Sequence, residues 1–530
     1  MNFIYKKNIA IVAAMLLSLG MASCDFLDIT PEDPSTIMTV DEPALYTKCY
    51  ANMALAGQGG ANGDCDIDGL DGGTTGFVRQ LWNANELTTD EAICAWGDTG
   101  IPAFNFSSFD ASHPMLRGFY YRLYAGVSYC NHYLEVCAGV NATREAEVRL
   151  LRSLYYYYLM DCFGNVPFTT RLSAESPRQI KRADLFKWIE DEVKAISPNL
   201  LEPKARKSSD DGYGRADRDA ANLLLARMYL NAKVYTGTER WAEAKEYAEK
   251  VINGPHKLFT AGANGWSAYQ MLFMGDNGES GASVEAILPL MQDGKTTTSW
   301  GTTLFLMASC WKADMDVEKN YNTIEFWAGN RARSQFVAKF FPNGNAPHVG
   351  VSEMVEMAGD DRALLFGKDR ELVVSTPTEY TSGYAVAKFR NTYSTGAAGK
   401  NSQFIDTDFF LMRSAEAYLI AAEADARING GNTSAVGKAY IDAIRKRAHA
   451  VVRAQYSLRD ILDERSRELY YEGFRRTDLV RYGLFTSAEY VWDWKGGTLS
   501  GVGVPETRNI FALPDEDVNA NPNLKQNPDY

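Results

Sequence analysis

The run from Arg144 to Cys162 constrains this chain most. It sets Leu150, Leu151, Leu154, Tyr155 and Tyr158 at the three- and four-residue spacing of one helix face, and Gly164 and Pro167 close it. Runs of the same kind recur at Met115 to Cys137, Asp184 to Ile196 (stopped by Pro198), Ala216 to Ala232 and Trp241 to Ile252. Helical spacing returns at Phe409 to Ile428, Ala435 to Ala448 and Leu458 to Tyr482, the last opened by a capping box of Ser457 and Asp460. On that last run Glu464, Glu468 and Glu472 share a face surrounded by Arg465, Arg467, Arg475 and Arg476. This predicts a solvated or ion-paired face rather than a catalytic one.

Within the pair 216–232 and 241–252, Leu225, Ala226 and Tyr229 are expected to face Trp241, Ala244, Ala248 and Val251. Small residues at close-packing positions, a Tyr near the end of the first helix and a short turn resemble tetratricopeptide units. A plain helical hairpin is the simpler alternative. The expected fold class is mainly α, with tetratricopeptide-like helical pairs forming a scaffold into which long irregular loop regions are inserted.

The scaffold segments cover about 44–60, 112–260 and 405–485, and the irregular ones about 61–111, 262–404 and 486–530. The first irregular region contains the stretch Asp64 to Phe104, with Gly69, Gly72, Gly73 and Gly76, Asp66, Asp68 and Asp71, Arg79, Trp82 and Trp96. No regular period runs through it, so it reads as a long functional loop, and its aromatics argue against disorder. A flat ring beside carboxylate and guanidinium groups suits a polyol, whose C–H faces lie on the ring while hydroxyl pairs exchange hydrogen bonds. Trp82 would equally well plug a core, whereas Trp96, followed by Gly97 and Asp98, is expected to be exposed. The second irregular region carries Trp300, Trp311 and Trp327 and a helix candidate at Ala332 to Phe340; the third carries Trp492 and Trp494.

A formal charge of −13 argues against nucleic acid as a partner. The eight cysteines show no CxxC or other regular spacing, hence neither a disulfide framework nor a zinc signature. Lys6 and Lys7, the apolar run Ile9 to Leu19, and Ala22 and Ser23 before Cys24 make 1–23 a signal peptide. The junction resembles the lipobox of bacterial lipoproteins, with Cys24 the lipidated residue. Residues 24–43 then read as an extended tether with Pro31, Pro34 and Pro43, and 44–530 as a single domain. HExxH, GxSxG and P-loop motifs are absent, which lowers the metalloprotease, esterase and nucleotide-hydrolase readings. A glycoside hydrolase, with two carboxylates roughly 5–9.5 Å apart, is the enzymatic alternative to a non-catalytic binding module.

Six runs carry a family resemblance: FVRQLWNANELTTDEA (77–92), LRSLYYYYLMDCFGNVPF (151–168), GRADRDAANLLLARMYLNAKVYTG (214–237), RSAEAYLIAAEA (413–424), ELYYEGFRRTDLVRYGLF (468–485) and WDWKGG (492–497). Together they resemble the SusD/RagB family of outer-membrane glycan-binding lipoproteins, most closely its starch-binding founder. The resemblance implies a helical fold with tetratricopeptide-like pairs, no catalysis, and a lipid-anchored outer-membrane location facing the cell exterior. It also implies a SusC-like TonB-dependent transporter as partner. By local match it implies a starch or glucan site on Asp71, Arg79, Trp96, Trp300 and Trp327, with Cys94 standing where the founder-like pattern has an aromatic. Structural Ca²⁺ is implied at Asp406 and Asp408, with Asp276 as a further ligand, because hard oxygen ligands at i and i+2 suit that ion. The alternative there is a cap on a helix beginning at Phe409.

Overall fold

A computed structural model describes residues 40–313, 315 and 321–530. The expected signal peptide, Cys24 and residues 24–39 of the tether lie outside the described residues. Pro43–Tyr530 form one unit.

Its frame is a row of helices, each packed against the next. Pro114–Val136 packs on Ala142–Phe163, which packs on Arg182–Ile196. Arg218–Leu230 packs on Trp241–Asn253, and that helix on Ser414–Ile428, followed by Ala435–Arg447 and Leu458–Leu469. Local chemistry sets the helix starts. The Asn141 side chain accepts the N–H groups of Thr143 and Arg144, Asp217 those of Asp219 and Ala220, and Ser457 with Asp460 form the expected capping box. The Ala142–Phe163 helix is buried nearly all round from Ala146 onward, as a helix inside a layered core must be.

Helices Trp241–Asn253 and Ser414–Ile428 touch although the intervening chain is long. Residues 254–413 are therefore an excursion from one point of the helical row. They fold into short pieces, among them the helices Thr303–Ala308 and Val351–Ala358 and the strands Ala286–Leu290, Asn330–Ala332 and Leu365–Phe366.

Several expectations need correction. Phe409–Arg413 is a strand, paired antiparallel with Ala286–Leu290, and the helix starts only at Ser414. Five buried bulky residues in a row suit a strand covered on both faces as well as a helix. The run from Leu458 to Tyr482 is two helices, Leu458–Leu469 and Arg475–Arg481. Between them Tyr471 takes a left-handed backbone (φ 64°), and the buried Glu86 carboxylate accepts the N–H groups of Gly473 and Phe474 at 2.6 and 3.0 Å. The helix proposed at Ala332 to Phe340 shrinks to Ser334–Val337, preceded by the Asn330–Ala332 strand. The stretch Asp64 to Phe104 is not one loop. Phe77–Trp82 is an α-helix continued by a π-turn over Asn83–Leu87, and Phe77 to Cys94 is buried throughout, Trp82 included. Residues 486–530 also hold a short helix, Asp515–Ala520.

The acidic face of Leu458–Leu469 is ion-paired but not solvated. Arg413 reaches Glu285 and Glu468 at 2.7 Å and Glu472 at 2.6 Å. Arg362 reaches Asp360 and Glu464 at 2.7 Å and Glu468 at 3.3 Å. Arg447 bridges Glu285 and Glu468, Arg445 meets Glu464, and Lys388 meets Glu472 at 2.6 Å. Burial alone would push the Glu468 carboxyl up; Arg447, Arg413 and Arg362 outweigh it and hold it at about 2. Glu468→Ala leaves three buried cations short of a partner and should cost about 3–5 kcal/mol, read as a fall in denaturation midpoint. Because its folded pKa lies below that of the unfolded chain, the contribution of Glu468 is present above about pH 4.5. It drains away as pH falls toward 2, so acid melting curves of wild type and Glu468→Ala should converge in that window.

Candidate functional site

Two backbone junctions bring distant residues to one place. Strand Ala92–Cys94 pairs antiparallel with Asn330–Ala332, in register Ala92↔Ala332 and Cys94↔Asn330, and the Ala95 N–H donates to the Gly329 carbonyl at 2.9 Å. Trp96 and Trp327, just beyond this pair, therefore lie side by side. At the second junction the Arg79 N–H donates to the Gly301 carbonyl at 3.0 Å. There the backbone at Gly76 and Gly301 approaches so closely that a Cβ on Gly76 would stand 3.0 Å from the Gly301 Cα. Trp300 is thereby set over Gly73, next to Asp71.

The result is a continuous arc of three partly exposed indoles. Trp96 and Trp327 have ring centroids 6.4 Å apart at 50°, and Trp327 and Trp300 6.2 Å apart at 41°. Each ring is pinned by its own N–H. Trp96 Nε1 donates to the Trp327 carbonyl at 2.9 Å, Trp300 Nε1 to the Ala61 carbonyl at 3.0 Å, and Trp327 Nε1 to Glu325 Oε2 at 2.7 Å. Trp96 lies flat on the chain at Gly329, where an added Cβ would sit 2.2 Å from its ring, so only glycine fits there.

The five residues expected at a sugar site thus converge, with different roles. Asp71 is exposed at the rim, and its Oδ1 accepts the Thr74 N–H at 2.8 Å and the Thr74 hydroxyl at 2.9 Å. Arg79 is buried beneath the arc, over Phe305 at 4.8 Å and Trp96 at 5.6 Å, with Nη1 donating to the Gly73 carbonyl at 3.0 Å. Among the described residues its Nε–H has no hydrogen-bond partner. Burial holds its pKa down, opposed by Cys94, Asp98 and Asp71 nearby. Arg79 is therefore a charged support under the Trp96 ring as much as a flanking donor. Cys94 is buried in its strand, with its thiol pushed up to about 12 by burial, and offers no surface to the arc. Trp311 is fully buried.

Sequence reasoning missed Phe305, Phe404 and Glu325. Phe305 floors the arc from the Thr303–Ala308 helix, and Phe404 packs edge-on against Trp300 at 4.8 Å. No spacing marks Phe305 and Phe404, which meet the tryptophans only through tertiary contacts, whereas Glu325 stands two residues before the Trp327 whose N–H it accepts and could have been found locally.

Asp276, Asp406 and Asp408 line one cavity of about 780 Å³, with Asp293 and Tyr393. Asp276 accepts from the Ser394 N–H and hydroxyl, Asp406 from the Gly294 and Lys400 N–H groups and the Tyr393 hydroxyl, and Asp408 from the Gln292 N–H and the Tyr213 hydroxyl. Burial pushes the Asp408 carboxyl up to about 7, reinforced by Asp406 and opposed by the hydrogen bonds from Tyr213 and Gln292. No helix begins at Phe409, so neither carboxylate is the helix cap that formed the alternative. Among the described residues no three acidic, His or Cys side chains form a metal-binding cluster. The oxygen-only donor set fits a hard cation, but carbonyls or water would have to complete it.

The SusD family model matches residues 266–530, the excursion and the helices that follow it. Starch-binding protein SusD of Bacteroides thetaiotaomicron is 36% identical over 99% of this chain and 99% of its own length. The chain belongs to the SusD family. The helical frame is found again in solved structures at lower identity. A SusD superfamily protein from Parabacteroides distasonis superposes with TM-score 0.68 at 20% identity, covering 92% of this chain and 98% of that one. Surface glycan-binding protein A from Bacteroides thetaiotaomicron, in complex with laminarihexaose, gives TM-score 0.64 at 18% identity, with the same coverage. SusD-family chains are non-catalytic, and the hydrolase alternative falls with that membership. Among the described residues no helix is long and apolar enough to cross a membrane.

Proposed function

We propose that this protein binds starch or a related glucan oligosaccharide at the Trp96–Trp327–Trp300 arc and delivers it to a SusC-like TonB-dependent transporter in the outer membrane. One observation carries the reading: three partly exposed indoles in contact, each locked by its N–H, with no ring parallel to its neighbour. Flat faces take sugar C–H surfaces. Successive tilts of 50° and 41° suit a chain that curves, as an α-glucan does, better than a flat ribbon. Asp71 and Asp98 at the exposed rim supply acceptors for hydroxyl groups. The name of the 36%-identical relative, a starch-binding protein, supports the same reading. The laminarihexaose held by a structural neighbour makes a β-glucan the second candidate for the same arc.

The anchor in this proposal is lipid on Cys24, tethering the protein to the cell exterior through 24–43. Several acyl chains at about 0.8 kcal/mol per buried CH₂ hold firmly, so Cys24→Ala should move the protein from the membrane to the soluble fraction. Retention there would point to another anchor.

Asp276, Asp406 and Asp408 would hold Ca²⁺, which would neutralise the adjacent buried carboxylates. Chelation with EDTA should then lower the melting temperature and added Ca²⁺ restore it; an unchanged melting curve counts against the metal.

Partial burial of one ring is worth one or two kcal/mol at about 25 cal/mol per Å². Trp96→Ala, Trp300→Ala and Trp327→Ala should each weaken maltoheptaose binding about tenfold by calorimetric titration, with the fold intact. A preserved affinity with collapsed stability would make these rings core. Tighter binding of laminarihexaose than of maltoheptaose would favour the β-glucan reading.

A further inference from the structure

Glu325, partly exposed beside Trp327, uses both carboxylate oxygens. Oε2 accepts the Trp327 indole N–H at 2.7 Å, and Oε1 accepts from Gln403 Nε2 at 3.0 Å. The two chain segments also join through backbone, since the Ile324 N–H donates to the Ser402 carbonyl at 2.9 Å. Phe404, next to Gln403, packs edge-on against Trp300. One side chain therefore connects the support of Trp327 to the support of Trp300. The segment is shaped for this. Asn322 and Ala328, with φ of 49° and 48°, turn the chain at each end, and the Trp327 N–H is fixed on the Ala308 carbonyl at 2.8 Å. Backbone holds the Cα of Trp327, but rotation of its ring is restrained through the indole N–H.

Among the described residues no Lys or Arg side chain forms an ion pair with Glu325, so its visible role is to accept hydrogen bonds. We infer that Glu325 is a positioning residue for the glycan site, setting the pitch of Trp327 against Trp300 without touching sugar. This rests on the reading of the arc as a glycan site. It also separates Glu325 from Asp71 and Asp98, which lie at the exposed rim.

The chemistry distinguishes geometry from charge. Glu325→Gln keeps an oxygen for Trp327, and the Gln403 amide can turn to present its own oxygen to the new NH₂ group, so both links survive. Glu325→Ala removes both. The test is the indole N–H signal of Trp327 in ¹⁵N-labelled protein without sugar, assigned through Trp327→Phe, together with maltoheptaose affinity by calorimetry. The signal should be retained in Glu325→Gln and should shift and lose exchange protection in Glu325→Ala. Affinity should fall about fivefold in Glu325→Ala and stay near wild type in Glu325→Gln, the fold-change expected for one net hydrogen bond. In a Trp327→Phe background Glu325→Ala should cost little more, since the N–H it holds is gone.

An unchanged indole signal in Glu325→Ala overturns the inference. So does an equal loss of affinity in both backgrounds, or a loss in Glu325→Gln as large as in Glu325→Ala, which would place the charge against sugar. The two readings fail separately. Wild-type protein that binds no glucan defeats the glycan reading and the role in binding with it, whereas glucan binding that the Trp→Ala variants weaken and Glu325→Ala leaves intact defeats the positioning role alone.

Discussion

The buried cluster around Arg413 and Glu468 holds the two halves of this architecture together. Arg413 closes the strand that ends the excursion, Glu285 and Arg362 come from within it, and Glu464, Glu468 and Glu472 belong to the helical row and its C-terminal end. An apolar plug could join the same surfaces, and buried ion pairs often add little net stability compared with one. What ions add is register. Arg413 meets three different carboxylates, so a shift along either element leaves a charge unmatched at high cost. The excursion is thereby held in one position relative to the helices, and it carries two of the three rings of the arc, Trp300 and Trp327.

A second set of buried charges performs the same task for the first irregular region. Asp90 receives Arg475 at 2.7 Å and Lys339 at 2.7 Å, while Glu86 satisfies the backbone break at Gly473 and Phe474. Sequence alone suggested a loop from Asp64 to Phe104, yet most of it after Gly76 serves as core. The rings of the arc come from its last exposed residues and from two turns of the excursion, so rigid surroundings fix loop-borne side chains. Such rigidity limits the ordering entropy that any ligand bound there would cost.

What could be read in the sequence follows from range. Helical repeats such as Arg144 to Cys162 state their structure locally, through spacing and caps, and they appeared almost to the residue. Family resemblance placed Asp71, Arg79, Trp96, Trp300 and Trp327 together, which no period or propensity could do. Most of the failures are tertiary. Phe409 to Arg413 is a strand because Ala286–Leu290 lies beside it, and Leu458 to Tyr482 breaks because Glu86 offers acceptors to the turn. Arg79 proved to be a buried support because Phe305 lies under it, and the long-range half of the role of Glu325 is its bond to Gln403, although Trp327 is its near neighbour in sequence.

The strand pair between Ala92–Cys94 and Asn330–Ala332 has a further consequence for how the molecule comes into being. It joins segments more than two hundred residues apart, as does the bond from Trp96 to Trp327, whose positions differ by 231. Contacts of such long range form slowly, because the loop they close must first be ordered by everything between. Helical hairpins such as Pro114–Val136 with Ala142–Phe163 need only their own short turn. Such hairpins should therefore form early and the Trp96–Trp327 junction late, so that the appearance of the arc reports that the layers beneath it have already been assembled.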